Sequence, residues 1–402
     1  MQLRLIMVAI ALVLHNSGEA AEVLVADRLT NSVYRYSEMG ALLGTVVIDS
    51  VSINQPTGLA LSPDLQHLYV SSFQGSRVMR YDYNFVTGTA SGGVIFADQG
   101  DNLQAPNALL FSEDGQTLYV TNLGGVGVAR FMLDGTQITP NVFFGDAPES
   151  TGHLQFSGLA HAPGGKIFVG GFQEFPSGAR GAVGLYTPPS TTMSTFVPST
   201  PTINGASGLL AHDNFLYVAG MFANTIRRFD INSGFVDSSF GVNDLAFPQA
   251  LMASPDGNGF LVGILGFANG AGHIAHYDYD GALIGDGVFA RPGAGGFSEA
   301  TAFITVPDLT PGDFNVDFQV NGDDLIIWRQ NFGTTEGVAR DVGDADGNGL
   351  VDGVDFLIWQ RDVEPNAAAV THAVPEPAGA ASVLAGLASV LRRRRSSNRA
   401  AS

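Results

Sequence analysis

Pro56-Thr-Gly-Leu-Ala-Leu61, with Leu68-Tyr-Val70 a few residues later, returns as Pro106-Asn-Ala-Leu-Leu-Phe111 with Leu118-Tyr-Val120. It returns again as Phe156-Ser-Gly-Leu-Ala-His161 with Ile167-Phe-Val169, and as Ala206-Ser-Gly-Leu-Leu-Ala211 with Leu216-Tyr-Val218. Pro248-Gln-Ala-Leu-Met-Ala253 with Phe260-Leu-Val262 makes the fifth copy, and Ser298-Glu-Ala-Thr-Ala-Phe303 starts a sixth. Between the paired segments lie Ser62-Pro-Asp64, Ser112-Glu-Asp-Gly115 and Ser254-Pro-Asp-Gly257, residues that favour hairpin turns. A third, alternating segment follows, as in Arg77-Val-Met-Arg-Tyr-Asp82 and Thr225-Ile-Arg-Arg-Phe-Asp230.

A unit of roughly 40–50 residues holding three or four short strands predicts the blade of a β-propeller. Such a sheet covers both faces only against its neighbours, so the blades must close into a ring. Five complete repeats run from Pro56 to about Ala290. Ser298–Val306 supplies an inner strand without followers, and Glu22–Ser37 supplies followers without an inner strand. Joined, they predict a sixth blade, giving an all-β six-bladed propeller over residues 21–306. The period-two aromatics of the Leu-Tyr-Val strands fit packing between blades. The repeat resembles the NHL, SMP-30 and TolB-like group of propellers.

Composition narrows the function. The chain has 402 residues, 45% hydrophobic and 14% charged, with a net charge of −19 and Lys166 as the sole lysine. Nucleic-acid binders need clustered cations, so that class is set aside. With no cysteine there is neither a disulfide nor a thiol nucleophile. No G-x-S-x-G, H-E-x-x-H or Walker-type motif occurs. Aligning the repeats at a spacing of 50, with one step of 42, brings Thr57, Asn107, Ser157, Ser207, Gln249 and Glu299 to one position, the candidate channel lining. The resemblance to SMP-30-like lactonases implies a divalent metal held by several channel carboxylates and asparagines. This ring supplies one acid, Glu299, and one asparagine, Asn107, too few for a hard cation without help from loops. Streptogramin-lyase-like relatives would use a channel histidine; His161 and His212 lie four and five residues past the ring.

The densest chemistry lies between Gly312 and Asp362. Gly312-Asp-Phe-Asn-Val-Asp-Phe-Gln-Val-Asn-Gly-Asp-Asp-Leu-Ile-Ile-Trp328 and Gly343-Asp-Ala-Asp-Gly-Asn-Gly-Leu-Val-Asp-Gly-Val-Asp-Phe-Leu-Ile-Trp359 match at an offset of 31. Oxygen ligands at loop positions 1, 3, 5, 9 and 12 suit Ca²⁺. They are Asp313, Asn315, Asp317, Asn321 and Asp324 in the first copy, and Asp344, Asp346, Asn348, Asp352 and Asp355 in the second. Gln319 and Leu350 would add backbone carbonyls at position 7. Twelve acids against three arginines between Asp313 and Glu364 concentrate about half the net charge in 52 residues, which repel one another unless a cation binds. Leu325–Trp328 and Phe356–Trp359 begin helices whose apolar faces can pack together. Position 6 is Gly349 in the second loop but Phe318 in the first, so the first loop is expected to bind more weakly. Residues 312–362 resemble a type I dockerin, a small all-α module of paired EF-hand-type loop–helix units, which implies two Ca²⁺ ions and a cohesin-like or other surface partner. Positions 10 and 11, Gly322-Asp323 and Gly353-Val354, depart from the Ser-Thr of many cohesin-binding dockerins.

Both ends carry processing signals. Arg4, the apolar run Leu5–Leu14 and the small exit Gly18-Glu-Ala20 predict a secretory signal peptide over residues 1–20. At the other end come Val374-Pro-Glu-Pro377, fourteen small or apolar residues to Leu391, and Arg392–Arg395. Fourteen residues fall short of a stable span, and the arginines hold the tail on the cytoplasmic side, as in a transient anchor. The order over 374–402 resembles a PEP-CTERM sorting signal, which implies an exosortase-type enzyme as partner. Residues 307–311 and 363–373 read as linkers. The expectation is an exported, surface-sorted, non-enzymatic binding or adaptor protein with a Ca²⁺-dependent docking module. The alternative is a lactonase-like or polysaccharide-active propeller hydrolase or lyase centred on Glu299 and Asn107.

Overall fold

The computed structural model describes residues 21–49, 51–84, 87–125, 127–144, 155–173, 180–266, 272–291, 299–306, 310–315, 319–335, 342–346 and 348–363. The leader, the sorting tail, and loop positions Asp317 and Phe318 lie outside the described residues. Two compact units divide the chain, residues 1–308 and 309–402. Among the described residues no helix is long and apolar enough to cross a membrane.

The first unit is a six-bladed propeller. Strands β1 (Glu22–Asp27), β2 (Ser32–Tyr36) and β3 (Leu42–Ile48) open the chain. Blade 1 follows as β4 (Pro56–Leu61), β5 (His67–Ser72), β6 (Arg77–Asn84) and β7 (Thr89–Ala97). Blade 2 has β8 (Pro106–Phe111), β9 (Thr117–Asn122) and β10 (Val128–Met132), its outer edge reduced to bridges at Gln137 and Val142. The short β11 (Phe143–Phe144) pairs in parallel with the last strand of blade 3, which is built from β12 (Gln155–Ala162), β13 (Lys166–Gln173), β14 (Arg180–Tyr186) and β15 (Thr192–Thr200). Blade 4 holds β16 (Ala206–His212), β17 (Phe215–Gly220) and β18 (Thr225–Asp230). Blade 5 holds β19 (Pro248–Ala253), β20 (Phe260–Ile264), β21 (His273–Tyr277) and β22 (Leu283–Ala290). Finally β23 (Ala300–Val306) pairs antiparallel with β1, so blade 6 is shared by the two ends of the unit, as the repeat phase predicts.

Blade-to-blade contacts explain the motif. Tyr69 meets Phe111 edge-on at 5.3 Å, Tyr119 meets Tyr186 at 5.8 Å, and Tyr217 meets Phe260 at 5.3 Å, each pair crossing a blade boundary. The glycine of Thr/Ser-Gly-Leu is a matter of clearance. A Cβ on Gly58 would lie 2.0 Å from Asn107 O, and one on Gly158 would lie 2.3 Å from Ser207 O, because inner strands converge at the hub.

In the second unit, α1 (Gly322–Asn331) and α2 (Gly353–Asp362) each begin at a capping box. Asn321 caps the first and Asp352 the second, while Asp324 and Asp355 return the bond to the cap backbone. Trp328, Phe356 and Trp359 stack in sequence, with centroids 5.0 and 5.6 Å apart.

Candidate functional sites

The aligned hub residues turn out to do two different things. Thr57 Oγ1 donates to Pro106 O at 3.0 Å, Ser157 Oγ to Ala206 O at 2.7 Å, and Ser207 Oγ to Pro248 O at 3.3 Å. Each bond ties one inner strand to the next. In blade 2, where Asn107 occupies the position and is buried, Thr121 Oγ1 on the neighbouring strand reaches Ser157 O at 3.3 Å. Gln249 is half-buried at the same place in blade 5. The sixth member of this ring is Thr301, whose Oγ1 donates to Pro56 O at 2.6 Å. Pairing of Asp27 with Ala300, equivalent to Ser72 with Pro56, sets that register. Glu299 therefore stands two places earlier than the spacing of 50 suggests. It matches Gln55, and the correction moves it from the inner strand to its entry turn.

That entry turn recurs in five blades. The residue after each second strand sends its N–H to the carbonyl just before the inner strand. Phe73 bonds to Gln55 O, Leu123 to Ala105 O, Met221 to Gly205 O, Leu265 to Phe247 O, and Arg28 to Glu299 O. Five of the described bonds thus share one geometry, and four of them join neutral residues. The fifth carries the pair Arg28 Nε–Glu299 Oε2 at 2.9 Å. Beneath it sits Asp27, fully buried, whose Oδ1 accepts from Leu29 N at 2.8 Å and Glu299 N at 3.3 Å. Glu299 keeps 12% of its side-chain exposure. Burial pushes its carboxyl above the usual range, the Arg28 guanidinium opposes that, and the Asp27 charge adds to it. Periodicity alone could not single out this pair, since Arg28 lies at the opposite end of the unit.

The entrance does not fit a divalent ion of the SMP-30 kind. Among the described residues Glu299 is paired with Arg28, Asp27 is fully buried and accepts two backbone amides, Asn107 is buried, and the hydroxyls of Thr57, Ser157 and Ser207 are committed between blades. His161 and His212 lie at the far ends of β12 and β16, away from the entry turns. His161 Nδ1 is buried with no hydrogen-bond partner, and burial pulls this imidazole below its ordinary value. His212 stacks flat on Tyr279, centroids 3.6 Å apart, beside Asp213.

The second unit gathers oxygen instead. Asp344, Asp346 and Asp355 bring one carboxylate oxygen each within 4.8 Å of one another. Asp344 and Asp355 are buried there, as are Asp313 and Asp324 in the first loop. Backbone amides hold these acids: Asp355 Oδ1 accepts from Ala345 N and Asp346 N, and Asp344 Oδ2 accepts from Gly349 N at 2.8 Å. Asp324 Oδ1 likewise accepts from Phe314 N and Asn315 N. Gly349 has φ +83°, the backbone that a turn of this kind requires at position 6. Asn348 and Leu350 flank it on the surface, Asn315 and Gln319 are described in the first loop, and Asn321 and Asp352 act as helix caps. The loops are cross-tied. Trp328 Nε1 donates to Asp352 O and Trp359 Nε1 to Asn321 O, both at 2.9 Å. These donor sets suit Ca²⁺, being hard, anionic and amide-braced.

Fold and hub together define a six-bladed β-propeller. Residues 17–140, about a third of the chain, match the family model described as the SMP-30/gluconolactonase/LRE-like region. A chain of the nidogen/laminin complex aligns with a TM-score of 0.52 at 10% identity, over 71% of this chain and 98% of that one. A protein of Bacteroides fragilis, provisionally assigned as a 6-phosphogluconolactonase, aligns with a TM-score of 0.50 at 13% identity, over 73% and 99%. At such identities the likeness is one of fold. Among curated proteins none matches the chain.

Proposed function

We propose that the propeller is a lactonase-like hydrolase acting at its entrance through Glu299 and Arg28, carried outside the cell beside a calcium-loaded docking module. One observation carries the reading: among the described residues, four equivalent entry-turn bonds join neutral residues and the fifth carries a partly shielded Glu–Arg pair. The match of residues 17–140 to a gluconolactonase-containing family and the name of the Bacteroides fragilis protein support the lactone as substrate class.

The chemistry needs only these groups and water. Glu299, its basicity raised by burial, takes a proton from a water that attacks the lactone carbonyl carbon. The carbonyl oxygen becomes an oxyanion facing the Arg28 guanidinium. Collapse of the tetrahedral intermediate breaks the ring C–O bond, and the leaving alkoxide recovers the proton from Glu299. The product is an open hydroxy acid. No divalent ion takes part at this site. Glu299→Gln should lower kcat on aldonolactones by about 10²–10⁴, the usual worth of a general base, while EDTA leaves the propeller's activity unchanged. Absence of turnover in the wild-type chain, or turnover indifferent to Glu299→Gln, would overturn it.

A binding or adaptor role is the second reading, favoured by the hub hydroxyls being spent on holding blades together. In either case the leader would direct export, an exosortase-type enzyme would process the Pro-Glu-Pro tail, and the module would dock onto a cohesin-like or other surface partner once Ca²⁺ occupies its loops.

A further inference from the structure

On blade 2 a cavity of about 370 Å³ opens beside the entry turn, lined by Asn102, Gln104, Gln137, Asn141, the glycine pair Gly124-Gly125, and Thr139 with Pro140. Its size falls in the range of small-ligand pockets, about 300–1,000 Å³. Four carboxamides and no charged side chain line it.

Gly124 helps to keep the cleft open. Leu123 shares the entry-turn bond of Phe73, Met221 and Leu265, so Gly124 is the counterpart of Gln74 in blade 1, Phe222 in blade 4 and Gly266 in blade 5. Blades 1 and 4 place a long side chain there, and blades 2 and 5 do not. Gly125 is closely packed as well, since a Cβ there would lie 2.0 Å from the Asn122 amide.

The walls are fixed from beneath. Asn122, fully buried, accepts from Gln104 N through Oδ1 at 2.6 Å and donates through Nδ2 to Asn102 O at 2.8 Å. Arg130, also buried, donates to Pro140 O at 2.7 Å. Gln137 Nε2 donates to Asp101 O at 2.9 Å and to Asn141 Oδ1 at 3.3 Å. The side chains of Asn102 and Gln104 are exposed, with their amide groups turned to no protein partner among the described residues.

We infer that this cleft binds an uncharged oligosaccharide, separately from the entrance site. A carboxamide offers one acceptor and two donors in a plane, which matches neighbouring sugar hydroxyls. With no charged side chain the cleft offers an ion no counter-charge to repay its lost hydration, so a neutral ligand is preferred, and Pro140 alone is too little apolar wall to hold a lipid tail. Prefixed walls lower the ordering cost of binding.

The test uses the full chain in calcium buffer with cellotriose, maltotriose and chitotriose, and trigalacturonate as charged control, read by saturation-transfer NMR and calorimetry. At least one neutral trisaccharide should bind, and trigalacturonate should not. Gly124→Gln, which restores the residue of blade 1, should weaken that binding at least tenfold, as should Asn102→Ala combined with Gln104→Ala. Far-UV circular dichroism and melting of the variants separate a filled cleft from a misfolded blade. Glu299→Gln should leave the affinity unchanged, so failure of the lactonase reading does not carry over. Silence from all three neutral sugars, equal binding of trigalacturonate, or folded variants that bind as the wild type does would overturn the inference.

Discussion

Ser157 and its counterparts show how much a single hydroxyl can decide in a ring. Each donates to the backbone of the next inner strand, so each bond closes a contact between blades rather than within one. Ser157→Ala should cost about 0.5–1.5 kcal/mol of propeller stability, seen as a lower urea midpoint with an unchanged slope. His161 makes a complementary case. Burial disfavours the charged form of its imidazole in the folded protein, whereas the unfolded chain takes a proton below about pH 6.5. The folded pKa lies below the unfolded one, so stability is complete above that pH and falls as acid is added. His161→Phe should flatten the acid side of the stability profile measured by denaturant titration from pH 7.5 to 5. Glu299 works in the opposite direction. Its raised pKa moves the acid limb of any base-catalysed rate upward, so the midpoint of the kcat–pH profile should lie above that of an ordinary glutamate.

At the scale of elements, two repeated devices brace the blades. Asn31, Ser76 and Asn224, all at positive φ, accept the backbone N–H of Gln55, Ala105 and Phe247 across blade boundaries. In the acidic unit, capping boxes do the same for α1 and α2, and in the proposed calcium loops the cap residues would double as ligands. Asp352→Ala should therefore act twice. In EDTA it removes a cap worth about 1 kcal/mol, and in calcium it also removes an oxygen from the second loop. The difference in melting temperature between wild type and variant should be larger with Ca²⁺ than without it. The crossed tryptophan bonds make the readout simple, since either indole reports on the cap carbonyl of the opposite loop.

For the whole molecule, the division into two units carries its own expectation. The propeller core is apolar and closed by its own chain ends, while residues 312–362 hold buried acids whose repulsion grows without a cation. Removing Ca²⁺ should unfold the C-terminal unit and leave the propeller intact. Two melting transitions in EDTA, only one of them shifted upward by Ca²⁺, would check this, and a single calcium-insensitive transition would reject it.

Repeat, blade count and closure were all legible in the residues, because a two-residue alternation and hairpin turns are local and recur. So was the gathering of Asp344, Asp346 and Asp355 in the second loop, since all three fall within twelve consecutive residues. What the linear order could not supply was partnership across the ring. Spacing placed Glu299 beside Thr57, but strand pairing set Thr301 there and brought Glu299 against Arg28, some 270 residues away in the chain. Nor could it tell that Gly124 would border a cleft walled by Asn102, Gln104, Gln137 and Asn141. Periodicity records which residues repeat; only closure of the sheet ring decides which of them meet, because that meeting is set by hydrogen-bond register between strands far apart in sequence.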